Sequence, residues 1–355
     1  MIERTDEGVR LLYGADVVDG LKLLKDKSVH CVVTSPPYWR ARTYGAGAAE
    51  IGREETHLQY IERIVGVVEE IKRVLRPDGT LWLNLGDSLQ ESALCIPHRV
   101  GMALVDKGWV LRNTIVWSKT NPMPESAENR GTRSHEYILL LTRKPKGYFY
   151  NTWACREEPR VEGEPGRNMR DVWAFDALRD VWAFGFNQMA DTGGHVGVFP
   201  EELPRRCILL GTSEKGACPA CGAPYSPVVD KKHGFDSQGK RWFAAADTAH
   251  EGGGGKARRG DRKYQKITSV DVSWKAGCSC DAGDPVPCTV LDPFSGSGTT
   301  GKVARELGRH YIGLDLHGDF ADNAMRRIFG PEPKLEPEPQ ENNPVLDLFG
   351  GEGGA

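Results

Sequence analysis

Two short segments carry residue types at spacings that can do chemistry. The first, Thr34-Ser35-Pro36-Pro37-Tyr38-Trp39, directly follows the β-rich run His30–Val33. In open α/β sheets the carboxyl ends of strands are where ligands bind. Pro36 and Pro37 stiffen the backbone and remove two N–H donors, which leaves carbonyls and the Ser35 hydroxyl as acceptors. Such a loop suits a substrate bearing an NH2 group. The exocyclic amine of a nucleobase is a poor nucleophile because its lone pair is delocalised into the ring, and acceptors for both of its hydrogens favour the pyramidal, reactive form. Tyr38 offers a surface on which a base flipped out of a duplex can stack. The same letters also fit a rigid Pro-Pro turn with a packed aromatic pair.

The second segment, Leu291-Asp292-Pro293-Phe294-Ser295-Gly296-Ser297-Gly298-Thr299-Thr300, reads as a strand end, a glycine turn and a helix start. Its glycines would let a ligand approach the backbone closely. Gly296 to Gly301 fits the dinucleotide pattern G-x-G-x-x-G, and Gly296 to Lys302 nearly fits a P-loop. The P-loop reading fails at Val303, where a hydroxyl should hold Mg2+. A nicotinamide reading has more support, since Asp315 ends the next β-rich run and can bind ribose hydroxyls. S-adenosylmethionine also carries a ribose, however, and Asp292 offers its ammonium group a carboxylate. The methyl donor fits both segments together.

These segments need a scaffold. Arg10–Tyr13, His30–Val33, Thr80–Asn84, Thr114–Trp117 and Tyr137–Thr142 are β-rich, and Tyr60–Leu75 has helical periodicity before the turn signal Arg76-Pro77-Asp78-Gly79. A second α/β unit appears near the end, where Thr289–Leu291 and His310–Leu314 flank a helix. The α/β domain is therefore expected to be split by an insertion. The predicted parts are a catalytic half at 1–150, a target-recognition region and start of the cofactor half at 151–210, a cysteine module with a basic flexible loop at 211–284, the cofactor half at 285–330, and an acidic Pro-rich disordered tail at 331–355. Within the insertion, Asp171-Val172-Trp173-Ala174-Phe175 recurs as Asp180-Val181-Trp182-Ala183-Phe184, a stripe more in keeping with core than with base stacking. No apolar run approaches the roughly 20 residues of a membrane span, so a cytoplasmic protein is expected.

The order of a Ser-Pro-Pro-Tyr motif first and Asp-Pro-Phe-Ser-Gly-Ser-Gly-Thr-Thr late resembles the permuted β-class DNA amino-methyltransferases, over most of residues 10–330. The resemblance implies a seven-stranded, mostly parallel Rossmann-like sheet with an inserted target-recognition region. It implies S-adenosylmethionine as cofactor and double-stranded DNA as partner, with a cognate restriction endonuclease as a possible companion. By it, Ser35, Pro36, Pro37 and Tyr38 are catalytic. Asp16 stands at the adenine-contacting acid, Asp315 at the ribose acid, and Asp292, Phe294, Gly296 and Gly298 in the methionine pocket, with Thr299 opening the helix. His195–Leu203 resembles a further cofactor segment, contributing Phe199, although Val198-Phe199-Pro200 departs from the usual lysine-proline pair. Ser-Pro-Pro-Tyr favours N4 of cytosine as target. The alternatives are an N6-adenine enzyme and a non-catalytic DNA-binding protein that keeps the fold.

Four of the nine cysteines have telling spacing. Cys218-Pro219-Ala220-Cys221 is a zinc-knuckle-like turn, and Cys278-Ser279-Cys280 can complete a four-thiolate site for a structural zinc. Such a clamp would hold the loop Lys231–Lys266, with ten Lys/Arg against four Asp/Glu, against DNA phosphates. Cys288 after Pro287 is the dipeptide of a C5-cytosine nucleophile, but it precedes the cofactor strand and is not in a catalytic loop. His98 and His135-Glu136 lack metal spacing. Leu346-Asp347-Leu348-Phe349 at the tail resembles peptides that dock on replication sliding clamps.

Overall fold

The computed structural model describes residues 1–43, 45, 47, 50–88, 92–122, 125–126, 128–157, 166–175, 199–234 and 266–330. The second copy of the Trp-Phe stripe, His195, most of the basic loop and the tail with Leu346–Phe349 lie outside them.

The strands are β1 (Ile2–Asp6), β2 (Val9–Tyr13), β3 (Val29–Thr34), β4 (Leu75–Leu85), β5 (Val110–Lys119), β6 (His135–Thr142), β7 (Arg156–Glu157), β8 (Arg167–Asn168), β9 (Val172–Phe175), β10 (Ser226–Gly234), β11 (Lys266–Lys275), β12 (Thr289–Asp292) and β13 (His310–Asp315). The helices are α1 (Val17–Lys22), α2 (His57–Val74), α3 (Ile96–Asp106), α4 (Glu202–Gly211), α5 (Thr299–Glu306) and α6 (Ala321–Phe329).

Nine strands form one sheet in the order β1-β2-β13-β12-β3-β4-β6-β5-β9, where seven were expected. The extra two are edges. β1 folds back on β2 as an antiparallel hairpin, and β9 pairs parallel with β5, so Trp117 lies opposite Trp173. The run from β2 to β4 is parallel throughout, whereas β6 is antiparallel to both its neighbours.

Both faces are buried, so the central strands are apolar in every register, as sheets covered on two sides require. Leu81, Leu83, Leu139 and Leu141 face α1, α2 and α3 with Ile64, Val68, Ile71 and Leu104. Trp82, Leu140, Cys31 and Val33 face α4, α5 and α6 with Ile208, Val303, Ala324 and Ile328. Trp173 joins this second core, and Phe175 stacks on Trp117 at 5.4 Å, so the first copy of the stripe is structural.

α2 starts three residues before its apolar periodicity does, because Thr56 and Gln59 form a capping box. Arg76-Pro77-Asp78-Gly79 is not a free turn but an irregular stretch of β4: Val29 pairs with Leu75 and Cys31 already with Thr80. Crowding explains the glycine, since a Cβ on Gly79 would come within 2.7 Å of the His30 carbonyl oxygen. Among the described residues, no helix is long and apolar enough to cross a membrane.

Candidate active site

From β12 the chain crosses through α5 outward to β13; from β3 it crosses through α2 outward the other way to β4. The strand order therefore reverses between β12 and β3, and a crevice opens at their carboxyl ends. The two chemical segments are the loops on either side of it.

They are joined by one buried contact. Thr34 Oγ1 donates to Asp292 Oδ1 at 2.6 Å. The same carboxylate accepts from Thr300 Oγ1 at 2.7 Å and from the Phe294 N–H at 3.1 Å, so it also shapes the turn that follows it. Asp292 is 1% exposed, and burial raises its carboxyl to about 6 against the pull of those donors. Asp315 is the second anchor: it accepts from the Gly296 N–H at 2.8 Å and from the His317 N–H at 2.9 Å, and burial again shifts its carboxyl upward. Asp16 ends the next loop along and caps α1 through the Val18 N–H at 2.9 Å. Three carboxylates thus line the carboxyl ends of the neighbouring strands β2, β13 and β12.

The glycine turn is held from beneath by groups that the sequence reading missed. Tyr13 donates to the Gly296 carbonyl at 2.9 Å, and Ser295 Oγ lies 2.7 Å from the hydroxyls of both Tyr13 and Tyr311. Gly296 and Gly298 have φ of 51° and 80°, the left-handed region that glycine enters without penalty. At Gly298, however, the space of the missing Cβ is taken by protein, 3.2 Å from Ala324 Cβ and from Ile328 Cδ1. That glycine serves the turn and its packing on α6 instead of ligand approach. Thr299 is buried; Phe294 is partly buried against the core, and so is Phe199, just ahead of α4.

The catalytic loop is fastened on its other flank. Tyr60 on α2 donates to the Pro37 carbonyl at 2.9 Å, and Trp39 Nε1 donates to the Glu54 carbonyl at 3.0 Å. The Pro37 carbonyl is thereby used inside the protein. Pro36 is buried, and Ser35, Pro37 and Tyr38 are half-buried.

Three polar residues assigned no role at this site from the sequence surround Tyr38. Its hydroxyl donates to Glu136 Oε2 at 2.6 Å and accepts from Asn84 Nδ2 at 2.9 Å. Asn84 also donates to Glu136 at 2.8 Å, and Lys119 pairs with the other Glu136 oxygen. Ser35 Oγ lies 3.2 Å from the Tyr38 hydroxyl and 3.4 Å from Asn84 Nδ2. Burial, followed by the negative charge of Glu136, pushes the Tyr38 phenol well above its ordinary range, so it is a hydrogen-bonding group and not a base. The Asn84 carbonyl oxygen is buried with no hydrogen-bond partner, in a loop cluster suited to an N–H donor. A Cβ on Gly86 would come within 2.7 Å of the Tyr38 ring, which packs there. Antiparallel pairing of β6 is what brings the start of that strand, with Glu136, to this end of the sheet.

Other candidates fall away. Cys288 is buried at the amino-terminal side of β12, away from the crevice, and burial raises its thiol to about 11. His135 contacts the Tyr137 hydroxyl at 3.0 Å, and His98 packs edge-on against the same ring.

A mostly parallel α/β sheet thus carries an acceptor-rich loop and a glycine turn across its switch point, and comparison says which family shares this arrangement. A family model described as DNA methylase, of the N6/N4 type, matches residues 29–218 and 285–326. The type II methyltransferase M.SfiI of Streptomyces fimbriatus is 39% identical, covering 87% of this chain and 88% of its own. M.Cfr9I of Citrobacter freundii is 31% identical over 90% of this chain and 88% of its own. Among solved structures, the PvuII DNA methyltransferase (cytosine-N4-specific) superposes with a TM-score of 0.58 over 94% of this chain and 89% of that one, at 14% identity, which speaks for the fold. The chain belongs to the N6/N4 DNA methylase family, the enzymes that methylate amino groups of bases in DNA.

Proposed function

We propose that this protein transfers a methyl group from S-adenosylmethionine to the exocyclic N4 amino group of a cytosine flipped out of double-stranded DNA. The observation that carries the reading is the Thr34–Asp292 contact, which sets an acceptor-rich loop and a carboxylate-anchored glycine turn side by side across one crevice.

The residues fit the donor. Asp16, Asp292 and Asp315 supply carboxylates along three adjacent strand ends, suited to an ammonium group and ribose hydroxyls, and the turn beside them is set by the left-handed Gly296 and by its bond to Asp315. Asp292, Phe294, Gly296 and Thr299 would hold the methionine part, Asp315 the ribose and Asp16 the adenine, with Phe199 alongside. When bound, S-adenosylmethionine supplies an electrophilic methyl group.

On the substrate side, Ser35 and the Pro36 carbonyl would accept the two amino hydrogens, which localises the nitrogen lone pair. Tyr38 would stack on the base while Glu136 and Asn84 fix its hydroxyl, so the ring keeps one orientation. A serine before the Pro-Pro-Tyr triplet supports cytosine over adenine. The type II names of the relatives support a role beside a cognate restriction endonuclease, whose site this enzyme would protect.

Nucleoside mass spectrometry of DNA from cells expressing the wild type or Ser35→Ala tests this. N4-methylcytosine with the wild type only is expected. N6-methyladenine would overturn the base assignment, and no methylated base would overturn the reading as a whole.

A further inference from the structure

A second chemical site lies at the opposite end of the sheet. Cys218 and Cys221 precede the β10–β11 hairpin and Cys278 and Cys280 follow it, yet their four sulfur atoms all lie within 4.8 Å of one another. Four thiolates around zinc at about 2.3 Å form a tetrahedron with edges of about 3.8 Å, which fits inside that distance. Backbone N–H groups of Ala220 and Cys221 point at the Cys218 sulfur, and that of Cys280 at the Cys278 sulfur, the kind of outer hydrogen bonding that steadies a thiolate ligand. None of the four is in a disulfide.

The surroundings explain what a metal would hold. In the hairpin, residues 226–230 of β10 and 272–275 of β11 are exposed or half-buried. Its base is stitched to the sheet. Ala217 and Val286 exchange backbone hydrogen bonds at 2.8 and 2.9 Å. Arg76, oriented by both oxygens of Asp78, donates to the Cys221 carbonyl at 2.8 Å. His30, at the start of β3, accepts from the Thr289 N–H through Nδ1 at 3.0 Å, which leaves Nε2–H to donate to the Gly222 carbonyl at 2.9 Å. His30 thus links β3, β12 and the cysteine turn at the amino-terminal ends of the strands.

We propose that Cys218, Cys221, Cys278 and Cys280 bind one structural zinc ion that clamps the base of the inserted hairpin to the amino-terminal ends of β3 and β12. The site is a brace remote from the crevice. It stands apart from the methyl-transfer reading, because its ligands touch none of the crevice residues.

The test is metal analysis of the full chain purified without chelator. About one zinc per chain is expected, with cobalt substitution giving the intense visible bands of a tetrahedral four-thiolate centre and X-ray absorption giving four sulfurs at about 2.3 Å. Cys278→Ser with Cys280→Ser should lose the metal, whereas Cys95→Ser with Cys155→Ser should keep it. Zinc below about a fifth per chain in the wild type, with melting unchanged by chelation, overturns the proposal. So does mass spectrometry showing the four cysteines paired as disulfides in fresh protein.

Discussion

Thr34 and Asp292 are 258 positions apart in the chain and 2.6 Å apart in the fold, donor hydroxyl to buried carboxylate. The bond ties the last residue of β3 to the last residue of β12, so the loop proposed to take the base and the loop proposed to take the cofactor are fastened to each other at their starts. A permuted domain, whose two loops lie far apart in sequence, gains registration from such a contact.

Substitutions on the two sides of that bond should fail differently. Ser35→Ala removes an acceptor and Tyr38→Ala a stacking surface, so each should lower kcat about a hundredfold or more with cofactor affinity nearly intact. Asp315→Ala releases the Gly296 N–H and leaves ribose hydroxyls unpaired, so it should weaken S-adenosylmethionine first. Calorimetric titration beside tritiated methyl transfer separates the two. Full transfer activity in Ser35→Ala and Tyr38→Ala would falsify the catalytic assignment.

Glu136, bonded to Tyr38 and Asn84, is expected to act on the target through Tyr38, as a positioning residue. Losing a charge-assisted hydrogen bond costs about 1.5–3 kcal/mol, or roughly 10- to 100-fold in rate if the effect is confined to the transition state. Glu136→Ala should therefore lower kcat by about that factor with KM for DNA little changed, and Glu136→Gln, which keeps an acceptor, should recover part of it. Loss expressed in KM alone would show that Glu136 binds DNA and does not set the Tyr38 ring.

Asp292 should make cofactor binding sensitive to mild acid. Its carboxyl is raised to about 6 by burial, so the folded chain holds this proton more tightly than the unfolded one. Its share of stability is therefore full below the ordinary carboxylate range and is lost as pH rises through about 6. Only the ionised form can receive an ammonium group, so cofactor affinity should run the other way, falling roughly tenfold per unit as pH drops below that point. Melting and titration of wild type beside Asp292→Asn, across about pH 5 to pH 8, read both slopes. A wild-type affinity that is flat over that range removes Asp292 from the ammonium site.

Gly298→Ala should destabilise by about 1–3 kcal/mol, because it places a side chain at left-handed φ and against α6. Gly301→Ala should cost a similar amount without backbone strain, since its Cβ would sit 2.5 Å from the Tyr311 ring. Urea unfolding of both variants checks this. A neutral Gly298→Ala would show that the turn relaxes freely, against the packing seen here.

What the sequence determined by itself was local. Pro36-Pro37 fixes a loop that lacks two of its backbone N–H donors, the glycines at 296 and 298 mark a turn, and apolar runs such as His30–Val33 and Tyr137–Thr142 mark strands. The start of α2 was not read from periodicity, since the Thr56–Gln59 capping box that sets it lies ahead of the apolar stripe. The tertiary structure decided which of these meet. Asn84, Lys119 and Glu136 carry no motif, and only the antiparallel insertion of β6 between β4 and β5 gathers them around Tyr38. Tyr13 and Tyr311 read as ordinary strand residues until parallel pairing of β2 and β13 places both hydroxyls on Ser295. The nine-strand count and the placement of the cysteine turn at the amino-terminal ends of the strands, at His30 and Arg76, follow from strand order. Spacing along a chain reports which groups can bond to near neighbours, whereas contacts between distant strand ends depend on topology, which no single segment encodes.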